Sequence, residues 1–121
     1  MKYILTLGVL FCLQFLNAQK NQDQSELLKS YTIEELEEIK ASSPKNYNAL
    51  IHALDNGMYL GSFDENKHAG LPILEEFDKQ KNFTDYGLKV KGSNQYFYCP
   101  EINKVMVLKS FWVLNNEKSR F

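Results

Sequence analysis

The chain has 121 residues, of which 44% are hydrophobic and 24% are charged, and its 14 basic and 15 acidic side chains nearly cancel. This composition is typical of one globular domain, and it excludes a disordered tail, a collagen or coiled-coil rod and a multidomain enzyme. The near-neutral balance, with a pI of about 6.1, also excludes the strongly basic surface expected of a nucleic-acid-binding domain.

The first eighteen residues have the pattern of a secretory signal peptide. Lys2 supplies the positive charge, residues 4–16 form an apolar run, and Ala18 is the small residue at the expected cleavage point. The run is shorter than the roughly 20 apolar residues that span a membrane, and Gln14 interrupts it. We therefore expect cleavage near Ala18, export to the periplasm or the medium, and no stable membrane anchor.

The exported part is expected to be a loose polar leader, 19–24, followed by a single domain over 25–121. Loss of the signal would leave Cys99 as the only cysteine, so that no intrachain disulfide could form and Cys99 is best interpreted as a small buried residue. Charge is divided along this part: residues 19–78 contain 12 acidic and 5 basic side chains, and 79–121 contain 3 acidic and 8 basic. The division predicts an acidic helical half beside a basic strand half.

Two helices are predicted near the start of the domain. The first covers 25–41, and Thr32 with Glu35 three residues later has the spacing of a capping box. Ser43 and Pro44 suit the N-cap and first position of a second helix. That helix has an apolar stripe, ends at Asn56-Gly57 in the manner of a left-handed C-cap, and places His52 on its solvated side. Its stripe is Tyr47, Leu50, Ile51 and Leu54.

Strands dominate the rest of the chain and are expected to form an antiparallel meander. Alternation of apolar and polar residues and the turn residues between them predict each strand. The expected elements are a strand over Met58–Phe63, a loop over 64–70, a short helix over Pro72–Lys79, a strand over Tyr86–Lys91, a turn at 92–94, and strands over Tyr96–Cys99 and Lys104–Leu114.

The last of these strands is apolar on both faces. An antiparallel strand with one solvated face would alternate between apolar and polar residues. Three explanations fit: the strand is central and covered on both sides, a bulge near Ser110 exchanges its faces, or the second face is a binding or dimer surface.

The elements together predict an α+β fold with N-terminal helices packed on the meander. Their order and number resemble the cone-like layout of the NTF2-like and cystatin-like folds over most of the domain. The resemblance implies a pocket inside the cone that holds a small ligand or a catalytic carboxylate. Its expected lining is Tyr59, Tyr98, Phe111 and Trp112, and the nearest acidic side chains are Asp55 and Asp85, which are simply explained as turn residues.

The sequence contains no motif for catalysis, for a metal or for a cofactor. The two histidines and Cys99 lack the spacing of a zinc site, and there is no phosphate loop or nucleophile elbow. Aromatic side chains interleaved with lysines in the strand half instead indicate a ligand or partner face. The candidates are Tyr59, Tyr96, Tyr98, Lys109, Phe111 and Trp112.

Three functions are compatible with these features. The first is a small exported binding protein, not an enzyme, whose partner is an unknown protein or small ligand. The second is a small-ligand carrier or enzyme with a pocket in a cone-like α+β fold. The third is a structural homodimer that buries its own apolar face. We do not expect a nucleic-acid partner for an exported protein of this charge.

Overall fold

A computed structural model of the protein describes residues 22–118. It has α-helices and one antiparallel sheet, so the predicted α+β class is confirmed. The predicted signal peptide, 1–18, and the first half of the predicted leader lie outside the described residues. The elements in chain order are a helix over 22–27 (α1), α2 (Ile33–Ser42), α3 (Pro44–Asn56), β1 (Met58–Ser62), α4 (Glu65–His68), a 3₁₀-helix (Phe83–Tyr86), β2 (Gln95–Cys99), β3 (Lys104–Leu108) and α5 (Phe111–Lys118).

The N-terminal helical region is divided in two, where a single helix was predicted over 25–41. Residues 22–24, predicted as leader, are helical, and α1 is followed by a turn at 28–30. Thr32 has an extended backbone (φ −80°, ψ 161°), and its side chain and that of Glu35 each accept from the other's N–H. This confirms the capping box. Because an N-cap residue is not itself helical, the box that begins α2 also prevents α1 from continuing into it.

Helix α3 begins as predicted but ends differently. The Ser43 side chain accepts a hydrogen bond from the Asn46 N–H, and Pro44 occupies the first helical position. The prediction that Gly57 is left-handed is wrong, because its backbone is right-handed, with φ −78° and ψ −21°. Glycine is required there for space, since a Cβ on Gly57 would lie 2.5 Å from the Ala53 carbonyl oxygen.

The hydrophobic core lies where the helices pack on one side of the sheet. The predicted stripe of α3 takes part, with Leu50 fully buried and its other members half-buried against the core. His52, predicted to be solvated, is instead half-buried, and its Nε2 lies 3.2 Å from the Glu117 carboxylate of α5. The buried core residues are Leu27, Tyr31, Leu36, Ala49, Leu50, Ala53, Phe83, Val90, Leu108 and Leu114.

The sheet is antiparallel as predicted, but its order is β1-β3-β2 and not that of a meander. In a meander, consecutive strands are neighbours, so β2 would lie in the middle. Strands β2 and β3 do form a hairpin through the turn at 100–103. Strand β1 instead pairs with the far side of β3, which the long segment 63–94 between β1 and β2 allows.

That segment is less regular than its sequence predicts. Residues 72–74, expected to begin a helix over Pro72–Lys79, are extended, because they run beside β2 and bond to the N–H and C=O of Tyr98. The strand expected over Tyr86–Lys91 is replaced by the 3₁₀-helix, which Asn82 caps, and by irregular backbone. Tertiary hydrogen bonds override the local pattern in both places.

The strand predicted over Lys104–Leu114 is divided after Leu108 into β3 and α5. The Ser110 hydroxyl accepts the Val113 N–H at 3.2 Å and so caps the first turn of α5. In β3, the side chains of 105–108 are at most 4% exposed. Of the three explanations for the two-sided apolar pattern, the central position of the strand therefore accounts for residues 105–108.

Candidate functional site

Two tyrosines stand on the same face of the sheet, on either side of β3. The register pairs Tyr59 of β1 and Tyr96 of β2 with the same residue, Val107. Neighbouring strands are about 4.8 Å apart, so the two Cα atoms are about 10 Å apart. The tyrosines are 47% and 41% exposed, whereas Val107 is 4% exposed. The two rings therefore flank a covered apolar floor.

The next row on this face consists of Gly61, Val105 and Tyr98. The Tyr98 ring centroid lies 4.3 Å from that of Phe63, and its hydroxyl donates to Asn103 Oδ1 at 2.9 Å. Tyr98 is therefore held by its own chain. At the other end of the row the face is bare, because a Cβ on Gly61 would meet no atom within 4 Å.

Lys109 follows β3 on the same side of the sheet, but its charge is paired. Its Nζ lies 5.9 Å from the centroid of the Tyr59 ring and 2.6 Å from Glu117 Oε1. Partial burial works to raise the pKa of Glu117, but hydrogen bonds from Lys109 and His52 outweigh it and hold the pKa below its ordinary value. Lys109 thus lies over the Tyr59 ring in a cation–π contact. The surface there is aromatic rather than basic.

Trp112 adds a third exposed aromatic side chain from α5. It is 71% exposed, and with Tyr96 it borders a shallow groove of about 400 Å³ between α5 and the turn at 92–94. Its neighbour Phe111 packs half-buried against the core, so the ring of Phe111 belongs to the interior. We call the surface formed by Tyr59, Tyr96 and Trp112 the aromatic face.

A separate cavity lies where α3 ends and β1 begins. Its volume is about 270 Å³, and residues 77 and 79–82 form one wall. Of the four aromatic residues expected to line a pocket, only Tyr59 borders this one. The polar side chains around it carry both signs of charge and several hydrogen-bonding groups, as a site for a small polar molecule would. They are Asp55, Lys79, Gln80, Lys81 and Asn82.

The two aspartates considered as general bases have different surroundings. Asp55 borders the cavity. Asp85 accepts hydrogen bonds from Lys29 Nζ at 2.8 Å and from the Asn82 N–H at 2.9 Å. The bond from Lys29, above all, holds the pKa of Asp85 below its ordinary value. Asp85 therefore completes the capping box of the 3₁₀-helix and joins this helix to the turn that follows α1, which is a structural role.

Three further observations concern the described residues. Within 22–118, no group of three or more His, Cys, Asp or Glu side chains is placed to hold a metal ion. No helix in that part of the chain is long and apolar enough to cross a membrane. Cys99 is buried, as predicted, and burial raises the pKa of its thiol.

Comparison with family models, with curated proteins and with solved structures found no match for this chain. The aromatic face and the cavity are therefore the features of the molecule that bear on its function.

Sequence reasoning missed two features of this region. Gly61 was not singled out, although a glycine inside a strand often marks a close approach of another group. The cavity wall at 77–82 was not predicted, because part of that segment was assigned to the helix predicted over Pro72–Lys79.

Proposed function

We propose that the protein is a small exported binding protein that recognises a partner through the aromatic face and carries out no chemistry. Export is supported by the signal-peptide pattern of Lys2, the apolar run 4–16 and Ala18. The binding role is supported by the exposed aromatic side chains of the sheet and α5. The proposal assigns the partner to one side of the sheet, which makes it open to mutational tests.

The observation that carries this proposal is the exposure of Tyr59 and Tyr96 on either side of the buried Val107, with the exposed Trp112 sharing a groove with Tyr96. Their exposed fractions are 47%, 41% and 71%. Clustered aromatic surface is uncommon on monomers and marks interaction sites. Tyr and Trp also dominate the centres of protein interfaces, because they bury a large area with few rotatable bonds. Tyr59 and Tyr96 lie on paired strands, so their backbone is already ordered and loses little conformational entropy on binding.

The aromatic face is tested by comparing what immobilised variants retain from the exported fraction of the producing cells. We expect Trp112→Ala and Tyr96→Ala to lose a species that the wild-type protein retains. Ile33→Ala is the matched control, because Ile33 is 45% exposed but lies on α2. Circular dichroism of each variant verifies the fold. The proposal would be contradicted if Trp112→Ala still retained the species and Ile33→Ala lost it.

The export part is tested separately with the full chain. After expression in a Gram-negative host, the N-terminal sequence of the protein outside the cytoplasm should begin at or near Gln19. A cytoplasmic protein that still begins at Met1 would contradict it. This result does not depend on which surface binds a partner.

A second candidate is a small-ligand carrier or an enzyme with a pocket in a cone-like fold of the NTF2-like or cystatin-like kind. The cavity of about 270 Å³ supports the pocket, because charged and amide side chains converge on it. Its position beside the C-terminal end of α3 would favour a ligand with a cationic or hydrogen-bond-donating group there. Asp55, which borders the cavity, is the side chain best placed to bind that group.

This candidate is tested by thermal shift with a panel of small polar molecules. A molecule that binds in the cavity should raise the melting temperature of the wild-type protein and of Glu76→Ala, since Glu76 is exposed and lies outside the lining. The same molecule should have little effect on Asp55→Ala. Equal stabilisation of all three proteins would exclude the cavity as its site.

A further inference from the structure

The two edges of the sheet differ in their backbone hydrogen bonds to the rest of the chain. On β2, the outward N–H and C=O of Tyr98 bond to the C=O of Pro72 and the N–H of Leu74, at 2.9 and 2.8 Å. The extended residues 72–74 thus cover part of that edge. On β1, no backbone group of the described chain bonds to the outer edge. The outer edge of β1 therefore has backbone groups without a backbone partner among the described residues.

The groups that face outward on β1 follow from its register. The Lys109 N–H donates to the Gly57 C=O, and the two residues are directly opposite each other in the β1–β3 pairing. In an antiparallel pair such bonding positions alternate, so Tyr59 and Gly61 bond to β3. The backbone groups of Met58, Leu60 and Ser62 therefore point outward.

Strand β1 also lacks the devices that normally protect an edge. Natural edge strands carry Lys, Pro, a bulge or an inward charge that opposes edge-to-edge pairing. The sequence Met58-Tyr59-Leu60-Gly61-Ser62 has no charge and no proline, and its five residues pair with β3 without a bulge. An unprotected edge of this kind is a template for another strand.

We propose that β1 pairs antiparallel with β1 of a second copy, about a two-fold axis at Leu60. Met58 then lies opposite Ser62 of the second copy, and the outward groups of all three positions find partners. The two three-stranded sheets become one sheet of six strands. This association does not depend on the proposed binding function.

The size of the side chains argues for a second copy rather than an unrelated strand. In this register Tyr59 lies opposite Gly61 of the second copy, and the arrangement is repeated by symmetry. The bare surface at Gly61, where a Cβ meets no atom within 4 Å, leaves room for the half-exposed tyrosine ring. Cross-strand aromatic–glycine pairs of this kind compensate for the missing side chain of the glycine. Because the strand is uncharged, symmetric pairing also brings no like charges together.

The test is the mass of the purified protein in solution, measured by sedimentation equilibrium over a range of concentrations. We expect a reversible dimer of the wild-type chain. Gly61→Glu should weaken dimerisation by at least about tenfold, because the new side chain has space in the monomer but meets Tyr59 of the second copy. Gly92→Glu is the control, since Gly92 has equally open space and lies away from β1.

A second variant removes hydrogen bonds and leaves the face unchanged. Ser62→Pro eliminates an outward N–H at the exposed end of an edge strand, where proline is tolerated in the monomer. It should weaken the dimer while the circular dichroism spectrum is preserved. A wild-type protein that is monomeric at every concentration would overturn the proposal, as would a dimer that both β1 variants leave unchanged.

Discussion

The Tyr31 hydroxyl offers a sharp test of how an irregular segment is held in this fold. The Val90 N–H donates to the Tyr31 oxygen at 2.8 Å, and the two residues are 6% and 5% exposed. Val90 lies in the stretch that its alternating pattern predicts to be a strand. The structure instead satisfies its backbone with a side chain from the turn between α1 and α2. Removing that oxygen should therefore destabilise the protein.

The expected size of the effect follows from what Tyr31→Phe leaves behind. The ring remains, so packing is preserved, but a buried N–H loses its partner, which costs about 1–3 kcal/mol. Against a typical free energy of unfolding of about 5–15 kcal/mol, a loss of this size is easily measured. Urea denaturation at neutral pH should show a lower midpoint with an unchanged slope.

Tyr96→Phe provides the matched control, because Tyr96 is 41% exposed and its hydroxyl bonds to no described residue. Its free energy of unfolding should stay within about 0.5 kcal/mol of that of the wild-type protein. If Tyr31→Phe were as stable as Tyr96→Phe, the bond to Val90 would not contribute as argued.

Tyr31 should also affect the stability of the protein at alkaline pH. Burial raises the pKa of Tyr31 from 10.0 to about 12. The unfolded chain therefore loses this proton first as the pH rises. The stability that depends on a neutral Tyr31 is complete below pH 10 and is lost as the pH approaches about 12. Tyr31→Phe should show a shallower alkaline decline, and an identical decline would contradict this assignment.

Three further predictions concern stability. Gly57→Ala should cost about 1–3 kcal/mol, because its Cβ would lie 2.5 Å from the Ala53 carbonyl oxygen; chemical denaturation measures the loss, and a neutral effect would show that the backbone relaxes. Leu114→Ala should cost about 2–5 kcal/mol because Leu114 is 0% exposed, whereas Trp112→Ala should cost about 0.5 kcal/mol or less; the reverse order would contradict the placement of α5. The urea concentration at the unfolding midpoint should decrease as the pH is lowered below 4.5. Carboxyls whose pKa is lowered in the folded protein stabilise it at pH values above their ordinary pKa, and this contribution is lost as the pH falls through their folded pKa. A midpoint that stays constant between pH 6 and 3 would contradict this prediction. The carboxyls are Glu26, Glu35, Asp85 and Glu117, with ordinary values of 4.5 for Glu and 3.8 for Asp.

The elements that the sequence predicted best are those specified by local contacts. Thr32 with Glu35, and Ser43 with Pro44, begin their helices where their side chains predict, because capping involves only a few neighbouring residues. Strand β1 also lies close to its predicted bounds. These features need no knowledge of distant parts of the chain.

The predictions that failed depend on contacts between distant residues. Four consecutive apolar residues at 111–114 fit a two-sided strand or a short helix equally well, and the Ser110 cap decides for the helix. The predicted meander order failed as well, because the sequence does not show that the segment 63–94 allows β1 to bypass β2 and pair with β3.

The candidate site was only partly accessible from sequence for the same reason. Tyr59 and Tyr96 were singled out individually, but the register that places them on either side of Val107 is a tertiary feature. Lys109 was expected to contribute a positive charge to the aromatic and basic strand face, but its salt bridge with Glu117 of α5 neutralises that charge. Phe111 was assigned to the surface because its helix was taken for a strand.

The most direct test of the aromatic face is amide chemical-shift mapping of the isotope-labelled protein as a retained partner is added. The binding proposal predicts that the largest changes fall on Tyr59, Tyr96 and Val107 and on the indole N–H of Trp112. Changes confined to α2 would place the partner on the acidic helices and contradict the proposal.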